Sequence, residues 1–155
     1  MLSALIACAQ SKSLIKNSYG FFVFQYPGNV PVDENGNVRP GFRGDTTYTV
    51  YLESSKNNIV WDTAYIGNQV YSVLTTPVQA NQVEAGQSKN DKQKIIIKPH
   101  HGNQLFNLDF ILIDGAQIPN NRKVNHPILL IGIYNGKRIE LSIEKLIELY
   151  TPDAV

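Results

Sequence analysis

The sequence predicts an all-β protein, a single antiparallel β-sandwich of about eight strands with a short helix near its C-terminal end. Long segments alternate apolar and polar side chains with a period of two, which is typical of strands that bury one face. Two gaps between such segments are two-residue hairpin signals, Gly67-Asn68 and Asn135-Gly136. A chain of 155 residues has the length of one domain, with a core that needs no disulfide.

The N-terminal half contains four predicted strands. Alternation begins at Tyr19, and both faces of this first strand carry aromatic residues. A long loop is predicted at residues 27–45, because this segment is rich in proline and glycine. The remaining predicted strands of this half are residues 46–53, 59–66 and 69–76.

The C-terminal half contains four further predicted strands and the helix. A polar stretch at residues 79–93 is predicted to be a loop, and strands are predicted at residues 94–98, 105–114, 128–134 and 137–141. The helix is predicted at residues 142–150, because Ser142 is a good N-cap and apolar residues recur at helical spacing from Ile143 to Tyr150. Pro152 would end it.

Trp61 adds an architectural comparison. It lies on a mid-chain strand after two earlier strands, where an immunoglobulin-like domain places its core tryptophan. The chain has one cysteine and so lacks the pair that bridges the two sheets in that family. The sequence therefore resembles an immunoglobulin-like sandwich in architecture only.

The N-terminal segment carries the clearest functional signal. An apolar run ends in Leu5-Ile6-Ala7-Cys8, and a polar stretch follows. This order resembles the lipobox of a small bacterial lipoprotein, a group that includes members of unassigned function. The resemblance implies cleavage before Cys8, lipid attached to its thiol, and a location at the bacterial cell envelope, either periplasmic or surface-exposed. Residues 1–18 are then a residual signal peptide and flexible tether, and residues 19–155 form the β-sandwich domain with its C-terminal helix.

Charge and motifs narrow the function classes. The chain has 14 Lys and Arg against 13 Asp and Glu, a balance that argues against nucleic acid as a partner. Serine-hydrolase and phosphate-binding loop motifs are absent from the sequence, and nothing in it calls for a cofactor. A local basic patch comprises Lys89, Lys92, Lys94 and Lys98 with His100 and His101, and a solvated sheet edge is its simplest interpretation.

Three histidines allow an alternative. His100, His101 and His126 could supply the three protein ligands of a catalytic zinc site. Two adjacent histidines on a regular strand point to opposite faces, so only an irregular loop would let both reach one ion. The simpler interpretation is that the three histidines are ordinary polar residues of loops or strand ends.

Three functional hypotheses follow. The first is a non-catalytic, lipid-anchored envelope module that binds or supports an envelope protein, a peptide or a glycan, with its ligand-binding residues unassigned. The second is a metal-dependent hydrolase that uses the histidine-rich loop. The third is a chaperone-like or structural subunit that pairs with a partner through a sheet edge.

Overall fold

The computed structural model describes residues 13–25, 32–37, 45–119 and 127–152. Ten strands lie within these ranges. They are β1 (Ile15–Gln25), β2 (Asp45–Ser54), β3 (Val60–Ile66), β4 (Gln69–Pro77), β5 (Val83–Gln87), β6 (Lys94–Ile97), β7 (Gln104–Leu112), β8 (Ile128–Tyr134), β9 (Lys137–Ile143) and β10 (Leu146–Glu148).

Eight of these strands form one sheet, in the order β10-β1-β2-β7-β4-β3-β8-β9. Its neighbours are antiparallel, except that β10 runs parallel to β1. The two edge strands, β9 and β10, are joined by Glu144 and Lys145 alone. Three Cα–Cα steps of 3.8 Å span at most about 11 Å. The sheet therefore curls until its opposite edges meet at this point.

Gly20 lies where the edges meet. A Cβ on this residue would lie 2.5 Å from Cδ2 of Leu146 and 2.9 Å from Cγ2 of Ile143. Leu146 is also the strand partner of Gly20 in the parallel ladder. The absence of a side chain on β1 thus lets the end of β9 and the start of β10 approach it closely.

The main core fills the inside of the curl. It joins residues from strands far apart in the sheet order, such as Val50 and Leu52 of β2 with Ile128 and Leu130 of β8, all with 0% exposure. The same interior also contains Trp61, Leu108, Ile139 and Ile143. The alternation in β2, β8 and β9 follows from this arrangement, because every second side chain points inward.

Two smaller clusters cover parts of the outer face. Phe21, Tyr51 and Leu105 of the large sheet pack against Ile97 and neighbouring apolar residues of the β5–β6 hairpin. Phe21 and Tyr51 meet edge to face, with ring centroids 6.1 Å apart. Elsewhere Tyr65, Val70, Leu129 and Ile131 pack with Ala116 and Ile118, which follow β7.

The all-β class is confirmed, and so are both hairpins. β3 and β4 flank Gly67-Asn68, and β8 and β9 flank Asn135-Gly136. Asn135 and Gly136 have φ values of 49° and 73°, the pair of positive values that a type I′ turn requires. Gly67 alone has positive φ in the other turn, at 61°, which suits a type II′ turn.

Other expectations differ from the structure. The predicted helix at residues 142–150 is wrong, because this segment continues β9 to Ile143 and then forms β10. The immunoglobulin-like division into two facing sheets is not confirmed, since one curled sheet contains eight of the strands. β5 lies within residues 79–93, which the sequence predicts to be a loop, and β1 begins at Ile15 instead of Tyr19.

The described ranges contain no helix that is long and apolar enough to cross a bilayer.

Candidate functional site

The structure describes two of the four predicted site residues. Cys8 and His126 lie outside the described residues. His100 and His101 lie in the connection between β6 and β7, as the sequence predicts for a loop. Within the described ranges, no three His, Cys, Asp or Glu side chains come together as a metal site. The zinc site of His100, His101 and His126 therefore stays a prediction.

His100 contacts a residue that the sequence analysis did not single out. Glu53, near the end of β2, is fully buried, and its Oε1 lies 2.8 Å from Nδ1 of His100. The same oxygen accepts hydrogen bonds from the backbone N–H of His100 at 2.6 Å and from Nδ2 of Asn103 at 2.9 Å. The other oxygen, Oε2, accepts a bond from Nδ2 of Asn17 at 2.7 Å. One carboxylate thus fastens β1 and the β6–β7 connection to β2.

The pKa of Glu53 reflects this environment. Burial raises it, but the hydrogen bonds from Asn103, Asn17 and His100 lower it more, and together they hold the pKa at about 2. Glu53 is therefore ionised at neutral pH. A general base works best with a pKa near the operating pH. The carboxylate is thus better suited to holding the loop than to taking a proton.

The contact also fixes the orientation of the His100 ring. An ionised carboxylate only accepts hydrogen bonds, so Nδ1 carries the hydrogen that points to Glu53. The side chain is 65% exposed, and its second nitrogen, Nε2, is left for solvent. This carboxylate–imidazole pair forms beside a surface cleft.

The cleft has a volume of about 630 Å³ and opens at the end of the sheet where β2, β4 and β7 meet the surface. Small-molecule sites commonly have volumes of about 300–1,000 Å³. Three segments line it: residues 54–57 and 59 after β2, residues 75 and 77 of β4, and residues 102–104 and 106 at the start of β7. The loop held by Glu53 therefore supplies one wall.

Two amide side chains in that wall have fixed orientations. Nδ2 of Asn103 donates to Glu53, and Nε2 of Gln104 donates to the carbonyl oxygens of Val78 and Leu105. Their partners only accept hydrogen bonds, so the nitrogen of each amide must face them. Among the described residues, no hydrogen bond reaches the side-chain oxygen of Asn103 or Gln104. Both oxygens remain available as acceptors.

Thr75 lies between the cleft and a small internal cavity of about 10 Å³ beside Trp61 and Leu52. Its Oγ1 is buried and has no hydrogen-bond partner among the described residues. A buried hydroxyl without a partner costs free energy, about 1–3 kcal/mol. Because this oxygen is buried, it is not a group that the cleft offers to a ligand.

Lys56 is the one charged residue among the described lining residues, and no carboxylate side chain lines the cleft with it. Its backbone N–H donates to Oγ of Ser54 at 3.0 Å, and that hydroxyl donates to the carbonyl oxygen of Leu14 at 2.7 Å. The turn after β2 is thereby tied to the residue that precedes β1.

The predicted basic patch is partly used in packing. Lys89 forms a 2.7 Å ion pair with Glu148, and Lys92 lies 4.6 Å from the centre of the Tyr150 ring. Backbone bonds from Lys89 N to Glu148 O and from Tyr150 N to Gln87 O join the same segments. Two of the lysines thus fasten the β5–β6 hairpin to β10.

The same contacts bear on the edge-pairing hypothesis. β10 pairs with β1 on one side, and the bridge between Ser88 and Leu149 continues the contact on the other. The edge at β10 is therefore covered by this chain's own hairpin, which disfavours the addition of a partner strand there.

No protein-family model matches the chain, and no curated protein or solved structure matches it. The cleft, with its two fixed amides and with Lys56 as the charged group among its described lining residues, is the strongest basis for a functional proposal.

Proposed function

We propose that the chain is a non-catalytic binding module of the bacterial cell envelope, anchored by lipid on Cys8, with the cleft as its ligand site. The observation that carries the binding part is the cleft itself. Its wall presents acceptors on Asn103 and Gln104, and Lys56 adds an ammonium group to the lining. Convergent polar groups in a cleft of this size are typical of sites that bind small molecules.

The electrostatics of Glu53 favour binding over catalysis. The buried carboxylate beside the cleft is ionised and accepts four hydrogen bonds. Its function in this proposal is to hold the wall in place, because a preorganised site loses less entropy when a ligand binds.

The fold gives the anchor a geometric consequence. Leu14 and Ile15 lie at the cleft end of the sheet, where Leu14 accepts the bond from Ser54 and Ile15 lines the small cavity below the cleft. Leu14 lies six positions after Cys8, so six Cα–Cα steps join them. At full extension they span at most about 21 Å. A lipid on Cys8 would thus keep the cleft end of the domain close to the membrane surface.

Binding is tested by amide NMR of the domain against a mixed set of short peptides and soluble saccharides. The proposal requires shifts that concentrate on residues 54–59 and 102–106. Ser55→Trp, which fills the cleft from an exposed lining position, should abolish them. Gln117→Trp places the same side chain on an exposed residue that does not line the cleft, and it should leave them unchanged. Ligand-induced shifts that persist in Ser55→Trp would refute the cleft as the site.

Anchoring is tested separately by growing cells that express the full chain with radiolabelled palmitate. We expect label in the wild-type protein and none in Cys8→Ser, because acylation needs the thiol. Ser11→Ala, a change three residues away, serves as the control and should retain the label. Label that persists in Cys8→Ser would contradict the anchor while leaving the binding site untouched.

A further inference from the structure

We infer that the ligand of the cleft is a saccharide that carries one negative charge, such as a uronic acid. This inference rests on the proposed function, since it names the chemical class for the same site. It follows from three features of the lining: the direction of its hydrogen bonds, the sign of its charge and its apolar side chains.

The hydrogen-bonding groups of the cleft call for a ligand that both donates and accepts. The side-chain oxygens of Asn103 and Gln104 are acceptors. Their amide nitrogens are already held by Glu53 and by backbone carbonyls, which fixes the orientation of each amide. The ammonium group of Lys56, which also lines the cleft, can only donate. A sugar hydroxyl performs both functions from one atom, and neighbouring hydroxyls repeat the pattern at short spacing.

The charge of the cleft selects an anion. Lys56 contributes an ammonium group, and no described lining residue has a carboxylate to neutralise it. Glu53 lies behind the wall, with both oxygens engaged by donors, so its charge does not face the ligand directly. A single lysine acts as a point charge and suits one anionic group on the ligand.

Three of the lining residues are apolar and bulky. Ile59, Pro77 and Phe106 border the same cleft, and Phe106 also packs against the main core. A pyranose ring has C–H groups that can pack on such a surface while its hydroxyls meet the polar wall. A peptide would instead be expected to pair its main chain with a strand edge. The lining here consists of side chains at the ends of strands.

The isotopically labelled full chain is titrated with D-glucuronic acid. Parallel titrations use N-acetylglucosamine, glucose 6-phosphate and acetyl-dialanine. We expect glucuronic acid to shift the amide signals of residues 54–59 and 102–106. Its affinity should exceed that of the neutral sugar by about five-fold, the size of one exposed ion pair. Raising the salt concentration should reduce this preference.

The matched variant is Lys56→Met, which keeps the length of the side chain and removes its charge. It should erase the preference for glucuronic acid, so that the variant binds glucuronic acid and N-acetylglucosamine with equal affinity. Lys137→Met, at an exposed lysine on β9 that does not line the cleft, should preserve the preference. A preference that survives Lys56→Met would overturn the inference about charge.

The other outcomes separate this inference from the proposed function. Tighter binding of glucose 6-phosphate in the same cleft would place the anion on a phosphate, and the saccharide class would stand. Binding of acetyl-dialanine alone would overturn the saccharide class while supporting the cleft as a site. If none of the four probes shifts the cleft signals, the inference fails, and the broader ligand screen with Ser55→Trp decides the proposed function independently.

Discussion

At Glu53, a single carboxylate links segments that are distant in sequence. Its partners are 36, 47 and 50 residues away along the chain. The sequence predicts correctly that a strand ends near Glu53, but it contains no local pattern that marks this glutamate as buried. The donors are an asparagine on β1 and a loop whose histidines were noticed for a different reason. Only the fold brings them together.

Glu53 should make the stability of the protein sensitive to acid. Its pKa of about 2 in the folded state lies below the ordinary value of 4.5. The ionised form therefore stabilises the fold fully above pH 4.5, and this contribution is lost as the pH falls from 4.5 toward 2. We expect the free energy of unfolding, measured with urea at several pH values, to decline over this interval.

The comparison with Glu53→Gln isolates that contribution. The variant should be less stable at pH 7 by about 2–3 kcal/mol, because a neutral amide replaces a charged acceptor and turns one N–H group toward donors. Its stability should change less between pH 5 and pH 3 than that of the wild type. Glu84→Gln, at an exposed glutamate of β5, is the control and should follow the wild type. Parallel acid curves for the wild type and Glu53→Gln would contradict this account.

Gly132 illustrates a steric requirement at the same scale. A Cβ there would lie 2.5 Å from the carbonyl oxygen of Val60 and 2.8 Å from Cε3 of Trp61. The nearest atom belongs to the backbone and cannot rotate away. We expect Gly132→Ala to reduce the free energy of unfolding by about 2–3 kcal/mol, by overpacking the core. Urea denaturation checks this, and a loss below 0.5 kcal/mol, the usual range for a surface change, would contradict it.

Among the secondary-structure elements, β10 shows where local pattern and fold disagree. Ile143, Leu146 and Ile147 have helical spacing, yet Ile143 completes the inward series of β9 with Ile139 and Leu141. Leu146 packs on the main core, whereas Ile147 packs in the outer cluster with Phe21. A segment this short fits both the helical period of 3.6 residues and the strand period of two, and pairing with β1 selects the strand. The two hairpins could be predicted because the conformation of each turn depends on two adjacent residues.

Gly20 and Leu146 should show energetic coupling where the sheet edges meet. Gly20→Ala introduces a methyl group 2.5 Å from Cδ2 of Leu146, the end of a flexible side chain. We expect a loss of about 1–2 kcal/mol that Leu146→Ala partly relieves, so that the double variant is more stable than additivity requires, by about 1 kcal/mol. The four unfolding free energies of the cycle measure this. Strict additivity would mean that the two residues do not meet as described.

For the whole molecule, the first described strand and the last are neighbours, so the curled sheet depends on both ends of the chain. This long-range pairing also explains why the sequence predicts the strands better than their arrangement. Alternation identifies which side chains share a face, as in β2 and β8, but it does not say which strands are adjacent. The cleft is defined by that arrangement, since its three lining segments come from β2, β4 and β7. It could not be predicted from any one of them.

Removing β10 should therefore affect the whole fold. β10 bonds to β1, and Leu149 N donates to the carbonyl oxygen of Phe22 at 2.9 Å. It also holds the β5–β6 hairpin through Lys89 and Tyr150. A chain that ends at Ile143 would uncover one edge of β1 and the outer cluster around Phe21. We expect it to bind a hydrophobic dye, to lose a cooperative urea transition and to associate in solution.

A chain that ends at Pro152 retains every one of these contacts and should unfold like the full chain. If the shorter chain remained monomeric and cooperative, the two ends of the sheet would not need each other, and the closure that shapes the cleft end would have to be maintained by the interior core alone.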